Sequence, residues 1–341
     1  MNKLKIVYFG TPDFSARFLE KLITDTLINQ LIKVKLVVTQ PDKPVGRKQI
    51  LTETAVKQVA EKYQISNIKY QKEIRNLKLE IRNFDLALLF AFGQIIPKEL
   101  LDLPKYGFLN IHPSLLPKYR GASPIAYPLI LGDKKTGVTI IEMDEKLDHG
   151  PIITQEELRI SPTNRRPDLE TKLTDLAFAM FKKLIYKMYG QPSGLSLPTP
   201  INSNQFQLTA QADQHATYTR LLKKSDGFVP LSTLKKALNN EPLTFKELPK
   251  ILQEIENWKL VPSEVEGLEI RNSPKIIYNY FRGLYPWPGI WTILPNGKRL
   301  KITDMKLSNF KNFPTLKLEK VQLEGKKEVE FSIFNKAYKM F

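Results

Sequence analysis

Three side chains able to carry acyl-transfer chemistry lie close to predicted strand ends. Asn110 and His112 stand two residues apart in a short apolar run, so on an extended strand their side chains point to the same side. An amide can donate hydrogen bonds to an oxygen that gains negative charge, and an imidazole exchanges protons near neutral pH. Asp148 precedes another apolar run and supplies a carboxylate that can orient or charge the imidazole. These residue types suit the transfer of an activated acyl group without a covalent intermediate on the protein.

The same residues also have a purely structural interpretation, and the pattern alone leaves both open. Two prolines stiffen an exposed turn after His112, so Asn110 and His112 can simply mark the end of a strand. The other two histidines, His149 and His215, have no partner that the spacing identifies. We therefore interpret both of them as structural.

The composition and the motifs exclude several other chemistries. The 341 residues contain no cysteine and only three histidines. Thiol nucleophiles, disulfides and thiolate metal sites are therefore absent, and we expect no bound metal. The segment around Gly10 lacks the glycine-rich fingerprint of a dinucleotide site, and the chain has no phosphate-binding P-loop.

Alternating strands and helices are predicted over the first half of the chain. The expected elements are strands at 4–9, 34–38, 86–91 and 108–111 and helices at 14–23 and 52–63. This alternation predicts a parallel sheet covered by helices, in which ligands bind beyond the carboxyl ends of the strands. Two of those ends lie at Gly10 and His112.

A second domain is expected after residues 191–211, a stretch rich in proline, glycine and small polar residues that follows a predicted helix at 168–189. Beyond residue 275, short runs joined by tight turns predict a small β-barrel or sandwich. The chain carries a formal charge of +17, and residues 271–341 hold 14 basic and 5 acidic side chains. Such a surface attracts polyanions, although a solvated lysine-rich surface explains the charge equally well.

Several stretches of this sequence are similar to one enzyme family. They are residues 9–14, 40–47, 92–97, 110–121, 137–151, 285–289 and 321–327. Together they resemble the formyltransferases that use 10-formyltetrahydrofolate, over nearly the whole chain. The set of Asn110, His112 and Asp148 is typical of that superfamily. The loop at 41–47 and the last two stretches are typical of its tRNA-directed branch.

The resemblance implies an α/β protein with two domains. Residues 1–190 would form a Rossmann-like formyltransferase domain with a parallel-rich sheet, and 191–211 would form a linker. Residues 212–341 would form a small OB-like β-barrel domain that binds tRNA. A formyl group would pass from 10-formyltetrahydrofolate to the α-amine of methionine on initiator Met-tRNA, for translation initiation, leaving tetrahydrofolate. We expect a cytoplasmic monomer that is not attached to a membrane.

The resemblance also assigns roles to individual residues. Asn110 would stabilise the oxyanion, His112 would move protons, and Asp148 would hold His112 and help to deprotonate the amine. The residues matching the folate-binding segment are Ser114, Leu115, Leu116 and Pro117. Those expected to face tRNA phosphates are Lys43, Arg47 and Lys48.

One stretch departs from the family pattern, and other functions remain open. Residues 230–274 make the chain longer than the family usually is and include a net acidic part, so we expect an added helical hairpin or surface excursion that does not face phosphates. The main alternative is a formyltransferase acting on an amino-sugar nucleotide. A glycinamide ribonucleotide formyltransferase would not need the second domain. A non-catalytic RNA-binding protein would have no physical reason to keep Asn110, His112 and Asp148 together.

Overall fold

A computed structural model describes residues 3–46, 48–189, 213–254, 270–310 and 313–341. In chain order, the strands are β1 (Leu4–Gly10), β2 (Ile32–Thr39), β3 (Lys43–Val45), β4 (Ile50–Thr52), β5 (Ile68–Tyr70), β6 (Leu86–Phe90), β7 (Phe108–His112), β8 (Arg120–Gly121), β9 (Lys135–Glu142), β10 (Ile152–Arg159), β11 (Tyr218–Thr219), β12 (Ile290–Ile293), β13 (Arg299–Phe310), β14 (Phe313–Leu323) and β15 (Glu328–Glu330).

The α-helices are α1 (Asp13–Thr24), α2 (Ile28–Leu31), α3 (Ala55–Lys62), α4 (Lys78–Ile81), α5 (Lys98–Leu101), α6 (Ala126–Leu131), α7 (Arg166–Tyr189), α8 (Leu231–Leu238), α9 (Lys250–Glu254), α10 (Ser273–Leu284) and α11 (Phe331–Tyr338). Short 3-10 helices span Gln71–Leu77, Asp213–His215, Lys224–Gly227 and Phe245–Glu247. None of the helices in the described ranges has the length and apolar character needed to cross a membrane.

The chain divides into two compact units, neither of which is one continuous stretch. The first unit comprises Met1–Pro124, Lys135–Arg159 and Glu170–Arg220, and the second comprises Ile125–Lys134, Ile160–Leu169 and Leu221–Phe341. The predicted linker at 191–211 lies outside the described residues. The domain limits given above therefore stay a prediction.

The first unit is built on a sheet with the strand order β10-β9-β7-β6-β1-β2-β5. The strands from β5 to β7 run parallel, and β9 and β10 are added antiparallel at one edge. All five residues of β6 are buried, as expected for a strand covered by helices on both faces. This sheet confirms the predicted α/β class and places the carboxyl ends of β1, β6 and β7 at one edge.

The predicted helix at 52–63 begins later than expected. Ile50–Thr52 pairs with Lys43–Val45 as the two-stranded hairpin β3–β4. The hydroxyl of Thr54 then accepts a hydrogen bond from the amide of Lys57 and caps α3. An N-cap contact of this kind fixes where the helix starts, and the hydrophobic pattern alone did not show it.

The second unit contains the antiparallel sheet β12-β13-β14-β15. β13 and β14 form its longest pair, with a bulge between Ile302 and Met305, and α11 packs on the sheet through Phe334. Residues 300–302, one of the short runs beyond residue 275 whose pattern predicts a strand, belong to the start of the twelve-residue β13. The small antiparallel unit agrees with the OB-like domain that the sequence predicts.

Part of the 230–274 stretch is folded into the second unit rather than added to its surface. Leu234, Leu243, Ile251 and Leu252 are fully buried. Leu243 also forms a backbone bridge with Ile270. Residues 246–258 have a sequence pattern that predicts a helix, and the described part of this segment contains the end of a 3-10 turn and α9. The acidic residues at 264–269 lie outside the described residues.

Candidate active site

Asn110, His112 and Asp148 meet in the first unit, although 38 residues separate Asn110 from Asp148. The amide Nδ2 of Asn110 donates a hydrogen bond to Oδ1 of Asp148 at 2.9 Å. The Nδ1 atom of His112 lies 3.5 Å from the same oxygen. The side chains of His112 and Asp148 are only 5% and 9% exposed, so this cluster is largely screened from water.

Asp148 is placed by the loop between β9 and β10. Its backbone is left-handed, with φ of +47°. The loop closes where the amide of Glu142 donates to the carbonyl of Pro151, beside Gly150. A Cβ at Gly150 would overlap the carbonyl oxygen of Glu142, so only glycine allows this close approach. The loop therefore places the carboxylate of Asp148 beside Asn110 and His112 of β7.

A backbone amide fixes the second oxygen of this carboxylate. The N–H of Gly121 donates to Oδ2 of Asp148 at 2.7 Å. With Asn110 on Oδ1, each oxygen of the carboxylate has a donor. Hydrogen bonds to a charged group are stronger than neutral ones, so this pair holds the carboxylate firmly in one orientation.

The other ring nitrogen of His112, Nε2, is held by a backbone carbonyl. This atom lies 2.9 Å from the carbonyl oxygen of Tyr119. Because a carbonyl oxygen only accepts, the hydrogen-bond network assigns a hydrogen to Nε2. In the neutral ring, Nδ1 then carries the lone pair and faces Asp148. The basic nitrogen of His112 is therefore the one beside the carboxylate.

The segment expected to bind folate forms a tight turn after β7. Ser114 is fully buried, and its hydroxyl donates to the carbonyl of Lys118 at 2.6 Å. The hydroxyl of Thr139 donates to the carbonyl of Ser114 at 2.7 Å and accepts from the amide of Leu116 at 3.1 Å. Leu116 is also buried, whereas Leu115 and Pro117 are half-buried. Ser114 and Leu116 therefore shape the turn from inside, and Leu115 and Pro117 are its more accessible residues.

Comparisons with known proteins identify the family of this chain. A family model described as formyl transferase matches residues 4–185. The methionyl-tRNA formyltransferase of Caldicellulosiruptor saccharolyticus is 34% identical, over 99% of this chain and 98% of its own. The chain belongs to the methionyl-tRNA formyltransferase family. The enzyme of that name from Halalkalibacterium halodurans is 37% identical, over 88% of this chain and 77% of its own. The family indicated by the sequence motifs is thereby confirmed.

Solved structures show the same fold at low sequence identity. A 4-N formyltransferase from Francisella tularensis has a TM-score of 0.54 and 20% identity, covering 87% of this chain and 95% of its own. A sugar 3N-formyl transferase, WlaRD, solved in the presence of dTdp and 5-N-formyl-THF, has a TM-score of 0.52 and 19% identity, covering 91% of this chain and 88% of its own. This chain therefore shares its fold with a 4-N formyltransferase and with a sugar 3N-formyl transferase.

Two of the three residues expected to face tRNA, Lys43 and Lys48, lie on the exposed β3–β4 hairpin. Lys43 and Lys48 are both exposed, and Nζ of Lys43 donates to Oε1 of Gln40 at 2.6 Å. Arg47 lies outside the described residues. The hairpin also carries apolar side chains that are more than half exposed, namely Val45, Ile50 and Leu51.

The sequence gives no signal for a charged network beside the site. His149, interpreted as structural, lies with Nδ1 2.6 Å from Oδ2 of Asp144 and with Nε2 3.5 Å from Oδ2 of Asp213. The buried Arg120 meets Oδ1 of Asp213 at 2.9 Å and the hydroxyl of Tyr218 at 3.2 Å. The hydrogen bond from Arg120 lowers the pKa of the Asp213 carboxyl, and the charge of His149 adds to this effect.

The sequence analysis missed other contacts of the site, either because backbone atoms make them or because the two partners lie far apart in the chain. The carbonyl of Tyr119 and the amide of Gly121 hold His112 and Asp148, and any residue type other than proline at 121 would offer the same polar groups. Arg120 and Asp213 are 93 residues apart. Neither the residue types nor the spacing marks such contacts in advance.

Proposed function

We propose that the protein transfers a formyl group from 10-formyltetrahydrofolate to the α-amine of methionine on initiator Met-tRNA. The observation that carries this proposal is the cluster of Asn110, His112 and Asp148 in a chain similar along its full length to a methionyl-tRNA formyltransferase. A formyl donor is already activated, so the site has to supply proximity, an oxyanion donor and a proton path. We place this reaction in the cytoplasm, carried out by a monomer.

Asn110 supplies the oxyanion donor in this proposal. Its Nδ2 group carries two hydrogens, one of which is donated to Asp148. We assign the other to the formyl oxygen, which gains negative charge when the amine adds to the formyl carbon. The bond to Asp148 keeps the amide group oriented in advance, and preorganised donors of this kind stabilise charge without reorganising.

His112 carries the proton. With hydrogen at Nε2, its Nδ1 atom is the base that takes the proton released by the amine. The same proton then passes to the folate nitrogen as the carbon–nitrogen bond of the donor breaks, so no net proton is left on the protein. Asp148, 3.5 Å away, stabilises the imidazolium that exists between the two steps.

The formyl donor would lie against the turn that follows β7. Leu115 and Pro117 offer apolar surface at this turn, and the buried Ser114 and Leu116 keep its shape. A folate ring system is flat and largely apolar at its faces, which suits contacts with such side chains. WlaRD, the sugar 3N-formyl transferase that shares this fold, was solved in the presence of 5-N-formyl-THF, which supports a formyl folate as the donor.

Charge favours tRNA as the acceptor. Lys43 and Lys48 are exposed on the β3–β4 hairpin. In the second unit, Lys306 and Lys317 are 68% and 76% exposed, and the two share the single carboxylate of Glu319. Positive side chains that outnumber their acidic partners are what a phosphate backbone requires.

An assay with competing acceptors tests the proposal. The protein is incubated with 10-formyltetrahydrofolate and, in parallel, with initiator Met-tRNA, elongator Met-tRNA and an amino-sugar nucleotide. We expect formyl-methionine on the initiator tRNA, a much slower reaction on the elongator tRNA, and no formylated sugar. Formylation of the amino-sugar nucleotide without formylation of Met-tRNA would make the alternative function the right one.

A further inference from the structure

We infer that residues 213–219, which we call the strap, hold residues 117–123, the catalytic loop, in the conformation that His112 and Asp148 require. Thr217 is the positioning residue through which the strap acts on His112. This inference rests on the proposed function, because its kinetic consequence is read from formyl transfer.

Backbone hydrogen bonds join Thr217 and Thr219 of the strap to the catalytic loop. The parallel pair β8–β11 aligns Arg120 with Tyr218. The amide of Arg120 donates to the carbonyl of Thr217 at 2.9 Å, and the amide of Ala122 donates to the carbonyl of Thr219 at 3.3 Å. The catalytic loop therefore does not have to hold its shape by local contacts alone.

Two threonine hydroxyls add contacts that a backbone ladder alone would lack. The hydroxyl of Thr217 accepts from the amide of Tyr119 at 2.9 Å. The hydroxyl of Thr219 accepts from the amide of Ser123 at 3.0 Å and donates to the carbonyl of Arg120 at 3.1 Å. Each hydroxyl satisfies a polar group of the loop that lies next to the site.

Tyr119 is the point at which the strap reaches the catalytic histidine. It has a φ of +66°, a left-handed conformation that is unfavourable for a bulky side chain and persists only when its surroundings impose it. Its N–H is held by Thr217 and its C=O holds Nε2 of His112. Removing the Thr217 hydroxyl removes one constraint on the left-handed backbone of Tyr119, so the carbonyl that sets the tautomer of His112 is held less firmly.

Asp213, the first residue of the strap, is held by contacts of its side chain. Its carboxylate binds Arg120, which is 1% exposed, and lies near His149, the residue that follows Asp148. The strap is therefore attached to the loop carrying Asp148 as well as to the loop carrying Tyr119. His112 and Asp148 are both positioned against it.

The test compares Thr217→Val with Thr217→Ser. Valine keeps the shape and removes the acceptor, whereas serine keeps the acceptor, and Thr217 is exposed, so both variants should fold. We expect Thr217→Val to lower kcat about tenfold with KM for both substrates within about twofold, and Thr217→Ser to restore kcat. Thr24→Val, at an exposed threonine in the last turn of α1, is the matched control and should leave kcat unchanged.

A second measurement does not depend on turnover. Nitrogen-15 NMR of the three histidine rings reports which nitrogen of His112 carries the hydrogen, with His112→Ala used to assign the signal. We expect an Nε2–H ring in the wild-type protein and a mixed tautomer in Thr217→Val. An unchanged His112 signal with unchanged kcat in Thr217→Val would overturn the inference, as would an equal loss of kcat in Thr217→Ser. A wild-type protein that forms no formyl-methionine would instead refute the proposed function, and the NMR result would still decide the role of the strap.

Discussion

Replacing Asp148 by asparagine removes the charge of the proposed site while changing its shape very little. Asp148 has a φ of +47°, and asparagine adopts left-handed backbone as readily as aspartate does. The variant keeps one oxygen acceptor. In the wild-type protein, N–H groups of Asn110 and Gly121 donate to the two carboxylate oxygens. In the variant, the NH₂ group of the new asparagine side chain faces one of these two donors. The substitution therefore tests the carboxylate, not the fold of the loop.

The expected loss follows from the distance between the two charges. With an effective dielectric constant of about 20, an imidazolium and a carboxylate 3.5 Å apart attract each other by about 5 kcal/mol. This attraction exists only while His112 holds the proton, so its removal raises the barrier and leaves substrate binding unchanged. Since about 1.4 kcal/mol corresponds to a factor of ten, kcat should fall by about 10³ to 10⁴.

The measurement is single-turnover formylation of Met-tRNA with the protein in excess. Formyl-methionine is quantified after hydrolysis of the ester, so the chemical step is observed separately from product release. Binding of Met-tRNA to the variant, measured at the same salt concentration, is the control and should equal that of the wild-type protein. The reasoning is refuted if Asp148→Asn keeps its single-turnover rate within about tenfold of the wild-type rate, because the charge would then contribute too little to the barrier.

Three further substitutions test the surroundings of the site and the second unit. Gly121→Ala should inactivate the enzyme by displacing the strap, because Gly121 has a φ of +105° and an added Cβ would overlap the carbonyl oxygen of Thr219; thermal unfolding should show a loss of about 1–3 kcal/mol. Glu247→Gln should lower stability by about 1 kcal/mol at pH 7 and by progressively less as the pH falls below the pKa of an unfolded glutamate. The hydrogen bond from Lys236 lowers the pKa of Glu247 in the fold, so its stabilising effect is complete above the unfolded pKa and is lost as the folded carboxyl is protonated; urea unfolding over a series of pH values measures this. Arg282→Met should cost about 2–4 kcal/mol in the same assay, because it leaves two buried backbone carbonyls of the 160–169 segment without their donor; a loss below about 0.5 kcal/mol would contradict the role of this side chain.

Hydrophobic patterning predicted the central strands of the sheet because they are buried on both faces. The run at 86–91 is almost entirely apolar, and the strand found there, Leu86–Phe90, lies inside the sheet. The same method missed the β3–β4 hairpin, because its apolar side chains Val45, Ile50 and Leu51 are more than half exposed and do not mark a buried face. It also underestimated the length of β13, because Lys306 and Ser308 in the second half of this strand are exposed. That half of β13 pairs with β14.

The second unit shows a different limit of reasoning along the chain. Residues 160–169 lie between elements of the first unit in sequence, yet they belong to the second. Arg282 donates to the carbonyls of Ser161 and Asn164, and the guanidinium of Arg165 stacks on Phe281 and Tyr285 of the same unit. Composition can indicate a domain boundary, but it does not show which earlier segments a later helix will bind.

By itself the sequence determined which side chains are the candidates for the proposed reaction. Asn110 and His112 share one face of a strand because side chains alternate, and this follows from the spacing alone. The tertiary structure alone decided how those groups are oriented. The tautomer of His112, the two donors on Asp148 and the strap depend on backbone atoms and on residues about a hundred positions away, such as Thr217. Backbone groups are the same in every residue, and so no pattern of side chains can reveal which of them the fold will bring to the site.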